Sequence, residues 1–134
     1  MTALIGLDTN VALRWLFRFP GDEHQAAQAG AAVQAMSGAI YLNLAVLAEL
    51  IWLSGHTFKL GRDAQADLIE RLLDNPRVHL AERDNVARAL ASFRAGGAGY
   101  TDHLIAALNL AAGCKTTLTF DKTAAKADGF TLLP

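Results

Sequence analysis

A single cysteine, Cys114, in 134 residues excludes an internal disulfide and any cysteine-rich zinc site, and it suits a reducing compartment. With only 3 prolines and a hydrophobic fraction of 52%, the chain is not of the disordered class, and its 11 glycines follow no period. No charge of either sign dominates. A formal net charge of -1 creates no overall field toward nucleic acid or anionic membrane, so any such binding must be local. The opening MTALIGLDTN lacks the basic start and long apolar stretch of a signal peptide. The longest apolar run, LAVLA before Glu49 and LIWL after it, is interrupted by that acid and too short to span a bilayer. The expectation is a soluble, cytoplasmic protein of one domain covering residues 1–134, long enough to close one core.

What is present is alternation. ALIGL (3–7) reads as a short buried strand, and TNVALRWLF after it places Val11, Leu13, Leu16 and Phe17 at helical spacing. The alanine-rich DEHQAAQAGAAVQAM, with Asp22 and Glu23 at its start, reads as a helix despite Gly30. AIYL (39–42) is a second strand, Asn43 an N-cap, and LAVLAELIWLSGH a mostly apolar helix. RDAQADLIERLLD is amphipathic through Leu68, Ile69, Leu72 and Leu73 and ends at Asn75-Pro76; VHL (78–80) is a third strand. DNVARALASFRAGG and TDHLIAALNLAAG are two more helices, the latter inward at Leu104, Ile105, Leu108 and Ala112. KTTLTF, a short KTAAK helix and FTLL complete a pattern that favours an α/β fold: a parallel sheet covered by helices on both faces.

Four acids stand out on this map. Asp8 and Asp121 sit at strand ends, where ligands gather in open α/β sheets, and Asp102 lies at or next to the first position of its helix, with Thr101 a plausible cap. Glu49, between Ala48 and Leu50, lies about two turns into a helix so apolar that at least one side must face the interior. Capping accounts for Asp8, Asp102 and Asp121 about as well as function does, but it cannot account for Glu49. Were the four to meet, pairs of charges ~4 Å apart would cost about 4 kcal/mol each at an effective dielectric near 20, so some must be protonated or a divalent cation must sit among them. An all-oxygen set suits Mg²⁺ or Mn²⁺ rather than zinc, and Mg²⁺ chemistry points to phosphodiester cleavage.

Other residues carry weaker signals. Cys114 has no histidine or acid nearby and reads as a small packed residue; His24, His56, His79 and His103 read as surface or locally bonded, with His103 notable beside Asp102. Arg14, Arg18, Lys59, Arg62 and Lys122 lie near the expected site edge, as phosphate contacts or as a solvated face. Trp15 and Trp52 occupy helical apolar positions, which favours core or interface over base stacking. RAGGAG follows a helix rather than a strand and so is no dinucleotide loop.

Taken in order, LDTN at the first strand end, AEL in the third helix, YTDHLIAAL and TFDK give a chain that resembles PIN-domain ribonucleases, in particular the VapC-type toxins of bacterial toxin-antitoxin pairs. The resemblance spans the whole chain. It implies a PIN-like three-layer sandwich with four or five parallel strands, a pocket for Mg²⁺ or Mn²⁺, cleavage of an RNA phosphodiester, a cognate antitoxin protein that occludes the pocket, and a homodimer. Asp8, Glu49, Asp102 and Asp121 become its metal-binding and catalytic acids, with Thr9, Asn10 and Thr119 as supporting groups. Asn43 stands where the family often has serine or threonine, and Thr123 where it often has another Asp or Asn, so one tightly held ion is expected. Two other classes compete: a catalytically weak PIN-like module acting through protein contacts, and a phosphoaspartate receiver or phosphatase, which needs paired acids near the first strand where Asp8-Thr9-Asn10 supplies one.

Overall fold

A computed structural model of the chain describes residues 4–17, 23–35 and 38–134. Its elements run β1 (Leu4–Gly6), α1 (Thr9–Leu16), α2 (Glu23–Ala35), β2 (Ala39–Leu42), α3 (Leu44–His56), α4 (Arg62–Asp74), β3 (Val78–Leu80), α5 (Arg83–Ala95), α6 (Tyr100–Ala111), β4 (Thr117–Thr119), a 3-10 turn (Ala124–Lys126) and β5 (Phe130–Leu132). This is the expected α/β alternation. Arg18 and Asp22 lie outside the described residues.

The strands are all parallel, but they form two sheets instead of one of four or five strands. One has the order β1-β2-β3; the other pairs β4 with β5. The β4–β5 pair is held to α6, where Asn109 Nδ2 donates to Thr117 Oγ1 at 2.9 Å and Gly129, at φ +96°, lies so close that an added Cβ would sit 3.4 Å from Ala106 Cβ. Leu4 on β1, Leu118 on β4 and Phe120 just beyond β4 are exposed.

The middle strand is the most buried, as the centre of a covered sheet must be: Ile40 and Leu42 are fully enclosed. Around them pack Leu47, Leu50 and Ile51 of α3, Ile69 and Leu72 of α4, Val86 and Phe93 of α5, and Leu104 of α6. Ile105, expected inward, is exposed, because α6 turns Leu104 and Ala106 to the protein instead.

Two polar ties set the positions of the site-bearing helices. Ser54 on α3 is fully buried; its hydroxyl donates to Ile51 O, and Gln65 Nε2 from α4 donates to both Ile51 O and Ser54 Oγ. Arg62, at the start of α4, donates to the carbonyls of Phe93, Gly97 and Ala98, and its guanidinium carbon lies 4.1 Å from the centre of the Phe93 ring. Arg62 therefore holds the α5–α6 connection, a structural use that neither of its two sequence readings, phosphate contact or solvated face, includes. His103, buried on α6, bonds through Nε2 to Gly96 O at 3.1 Å and reinforces the same connection.

Candidate metal-binding acids

The parallel register places the first candidate. Leu4 faces Ala39 and Gly6 faces Tyr41, an offset of 35, so Asp8 leaves β1 beside the point where Asn43 leaves β2. Each then caps a helix: Asp8 Oδ1 accepts from Val11 N and Asn43 Oδ1 from Val46 N, both at 2.9 Å. Asp8 is thus an N-cap, the simpler of its two readings, but an exposed one. Its hydrogen bond engages Oδ1 alone, which leaves Oδ2 to the outside of the helix.

Asp121 repeats the device at the end of β4. Its Oδ1 accepts from Thr123 N at 2.8 Å and Ala124 N at 3.3 Å, while its own backbone N–H donates to Thr119 Oγ1 at 3.0 Å. Thr119 therefore fixes the turn on which the carboxylate stands. Asn10 is engaged with Arg14, whose Nε donates to Asn10 Oδ1 at 3.3 Å, and Thr9 opens α1.

Asp102 differs from both. The N-cap of α6 is Gly99, with no side-chain capping bond, so neither Thr101 nor Asp102 caps the helix. Asp102 sits half-buried in the first turn, where the unpaired N–H groups and the helix dipole favour negative charge.

Glu49 lies five residues beyond the first residue of α3, about 7.5 Å along its axis. The buried side of α3 is formed by Val46, Leu47, Leu50, Ile51 and Ser54. Glu49 falls on the opposite side with Ala45, Trp52 and His56, and all four are exposed. Its carboxylate is solvated, so it carries no cost of a buried charge, and the side of α3 that faces the interior is the one without Glu49.

Among the described residues none of the four acids forms an ion pair with a protein cation; the exposed Arg94 instead bridges Asp67 and Glu70. Three of the acid-bearing helices are linked through α3, which packs against both α1 and α6. By donor chemistry the set fits Mg²⁺ or Mn²⁺: oxygen ligands only, with a carboxylate oxygen open on each residue. Among the described residues no group of three or more His, Cys, Asp or Glu side chains is arranged to hold a metal ion.

Two further expectations change. Cys114, expected to be packed, is exposed beyond the end of α6. Trp15 packs half-buried against the core, but Trp52 is 57% exposed and stacks on His56, an arrangement that apolar spacing alone did not reveal.

A parallel α/β fold with acids at two strand ends and at a helix start is compatible with several classes, and the family match decides among them in favour of a nuclease-type fold. The chain belongs to the PIN domain family, whose model matches residues 5–129. No curated protein matches it. No helix among the described residues is long and apolar enough to cross a membrane.

Proposed function

We propose that the protein is a metal-dependent endoribonuclease, the toxin of a toxin-antitoxin pair, which hydrolyses RNA phosphodiester bonds with Mg²⁺ or Mn²⁺. The observation that carries this reading is membership of the PIN family by a chain whose Asp8, Glu49, Asp102 and Asp121 have no cationic partner among the described residues. Asp8 and Asp102 are the principal ligands, Asp121 a ligand directly or through water, and Glu49 a ligand or the group that orients the attacking water. When bound, the ion would polarise the scissile phosphate and acidify a water. The chain's own part is orientation: the capping bonds at Asp8 and Asp121 hold one oxygen of each and leave the other to the ligand. Exposed Ile105, Leu110, Leu118 and Phe120 support contact with a cognate antitoxin protein or a second copy. Such a toxin would work in the cytoplasm.

The test is cleavage of RNA by the purified chain in Mg²⁺ or Mn²⁺, compared with Asp102→Asn. That variant removes a charge without removing a cap. Cleavage by the wild type and its loss in the variant are expected; full activity in Asp102→Asn, or none in the wild type with either ion, would defeat the proposal. A second reading, a PIN-like module acting through protein contacts, is favoured by the exposed apolar side chains Ile105, Leu110, Leu118 and Phe120. Calorimetric titration with Mn²⁺ separates the two, because a module without a working site takes up no ion.

A further inference from the structure

Among the exposed apolar side chains, Trp52 has an unusual setting. Its ring stacks on His56 with centroids 4.5 Å apart and planes 16° from parallel, yet the residue remains 57% exposed. An exposed indole in water is costly, and a tryptophan used for packing would lie on the buried side of α3 with Leu50 and Ile51. Instead it shares the outer stripe Ala45, Glu49, Trp52 and His56. Residues three apart on a helix are neighbours, and helical side chains lean toward the N-terminus, so Trp52 leans over the turn that carries Glu49. His56, one turn further on, backs the ring from the C-terminal side.

We propose that Trp52, backed by His56, is a stacking platform for one base of a single-stranded RNA. The proposal rests on the ribonuclease reading and assigns that site a base-binding position beside Glu49. A flat π surface, pre-oriented by a second ring and next to a candidate catalytic carboxylate, is what an unpaired base needs, and such stacking tolerates any sequence. Protein recognition fits the stripe poorly. The centre of a protein interface is depleted of charge, whereas this stripe has a carboxylate in the middle and only one large apolar side chain.

The experiment titrates the full chain in EDTA with a short oligoadenylate and, separately, with inorganic polyphosphate, following tryptophan emission. Oligoadenylate is expected to quench emission and polyphosphate is not. Trp52→Leu should bind oligoadenylate about ten-fold more weakly, and Trp52→Phe should recover most of that loss. In Mg²⁺ the same Trp52→Leu change should raise KM for RNA with kcat unchanged, which a merely structural role would not do. Equal binding by wild type and Trp52→Leu would overturn the platform, as would conversion of a dimer to monomers by Trp52→Leu in light scattering, which would make this face a self-interface. The two readings fail separately. Quenching that depends on Trp52 without cleavage in either ion defeats the nuclease and keeps the platform; cleavage lost in Asp102→Asn but indifferent to Trp52 does the reverse.

Discussion

Asp8 has two roles that substitution can pull apart. Its carboxylate caps α1 through Val11 N, and it is the first of the proposed metal ligands. Removing an N-cap costs about 1 kcal/mol. With an unfolding entropy of about 2.1 cal/mol/K per residue, a chain of 134 residues changes by roughly 0.28 kcal/mol per degree, so Asp8→Ala should lower Tm by about 3–4 °C. Asparagine caps as well as aspartate, so Asp8→Asn loses only the attraction of a negative charge for the helix dipole, about 0.5 kcal/mol or roughly 2 °C. Both variants remove the anionic donor, so RNA cleavage in Mg²⁺ should fall in both by more than the ~10–100-fold typical of an outer-shell partner. The assay pairs thermal melts by circular dichroism with initial rates on a labelled RNA. Asp8→Asn retaining wild-type rates, or activity that tracks Tm across the two variants, would show that Asp8 is a cap and nothing more.

Arg62→Ala breaks three bonds to carbonyls and the contact over Phe93, partly screened because Arg62 is exposed; a loss of about 2 kcal/mol, or roughly 7 °C, is expected, and Arg62→Lys should not restore it because one ammonium cannot span the fork. A melt of Arg62→Ala within a degree of wild type would refute that account. Leu50→Ala deletes a fully buried side chain next to Glu49 and should cost about 2–5 kcal/mol in urea titration. Burial raises the Tyr100 hydroxyl well above its ordinary value of 10.0, so the folded state holds this proton more tightly than the unfolded chain. The resulting stability is complete below the unfolded value and is lost as pH rises from there toward the folded one. Urea midpoints should therefore drop above about pH 10 in the wild type and drop less in Tyr100→Phe, which instead loses the bond to Val86 O and about 1 kcal/mol at neutral pH. Identical alkaline profiles would refute the assignment to Tyr100.

Much of the architecture is legible in local spacing. The segments 62–74 and 78–80 are legible to the residue, because amphipathic period, the Asn75-Pro76 stop and the apolar-polar-apolar alternation of Val78, His79 and Leu80 act within a few residues of where they stand. Asn43 was readable as a cap for the same reason. The sequence places Asp102 at or next to the first position of its helix after a cap at Thr101, whereas the helix starts two residues earlier, at Tyr100, because a glycine N-cap such as Gly99 leaves no side-chain signal. The side of α3 that Glu49 occupies was hidden because LAVLAELIWL is apolar all round, and only the neighbours of a uniformly apolar helix choose its buried side. Arg62 looked like a surface cation until the α5–α6 connection supplied carbonyls to satisfy it.

The sequence by itself determined the alternation of strands and helices, the parallel α/β class and the stations of Asp8, Glu49, Asp102 and Asp121 along the chain, since these follow from residue periods and caps that span one or two turns. Only the tertiary structure decided that β4 and β5 pair apart from β1-β2-β3 and that Glu49 and Trp52 share the outer face of α3. Strand pairing and burial join residues far apart in the chain, and their outcome depends on which surfaces compete for the same neighbours.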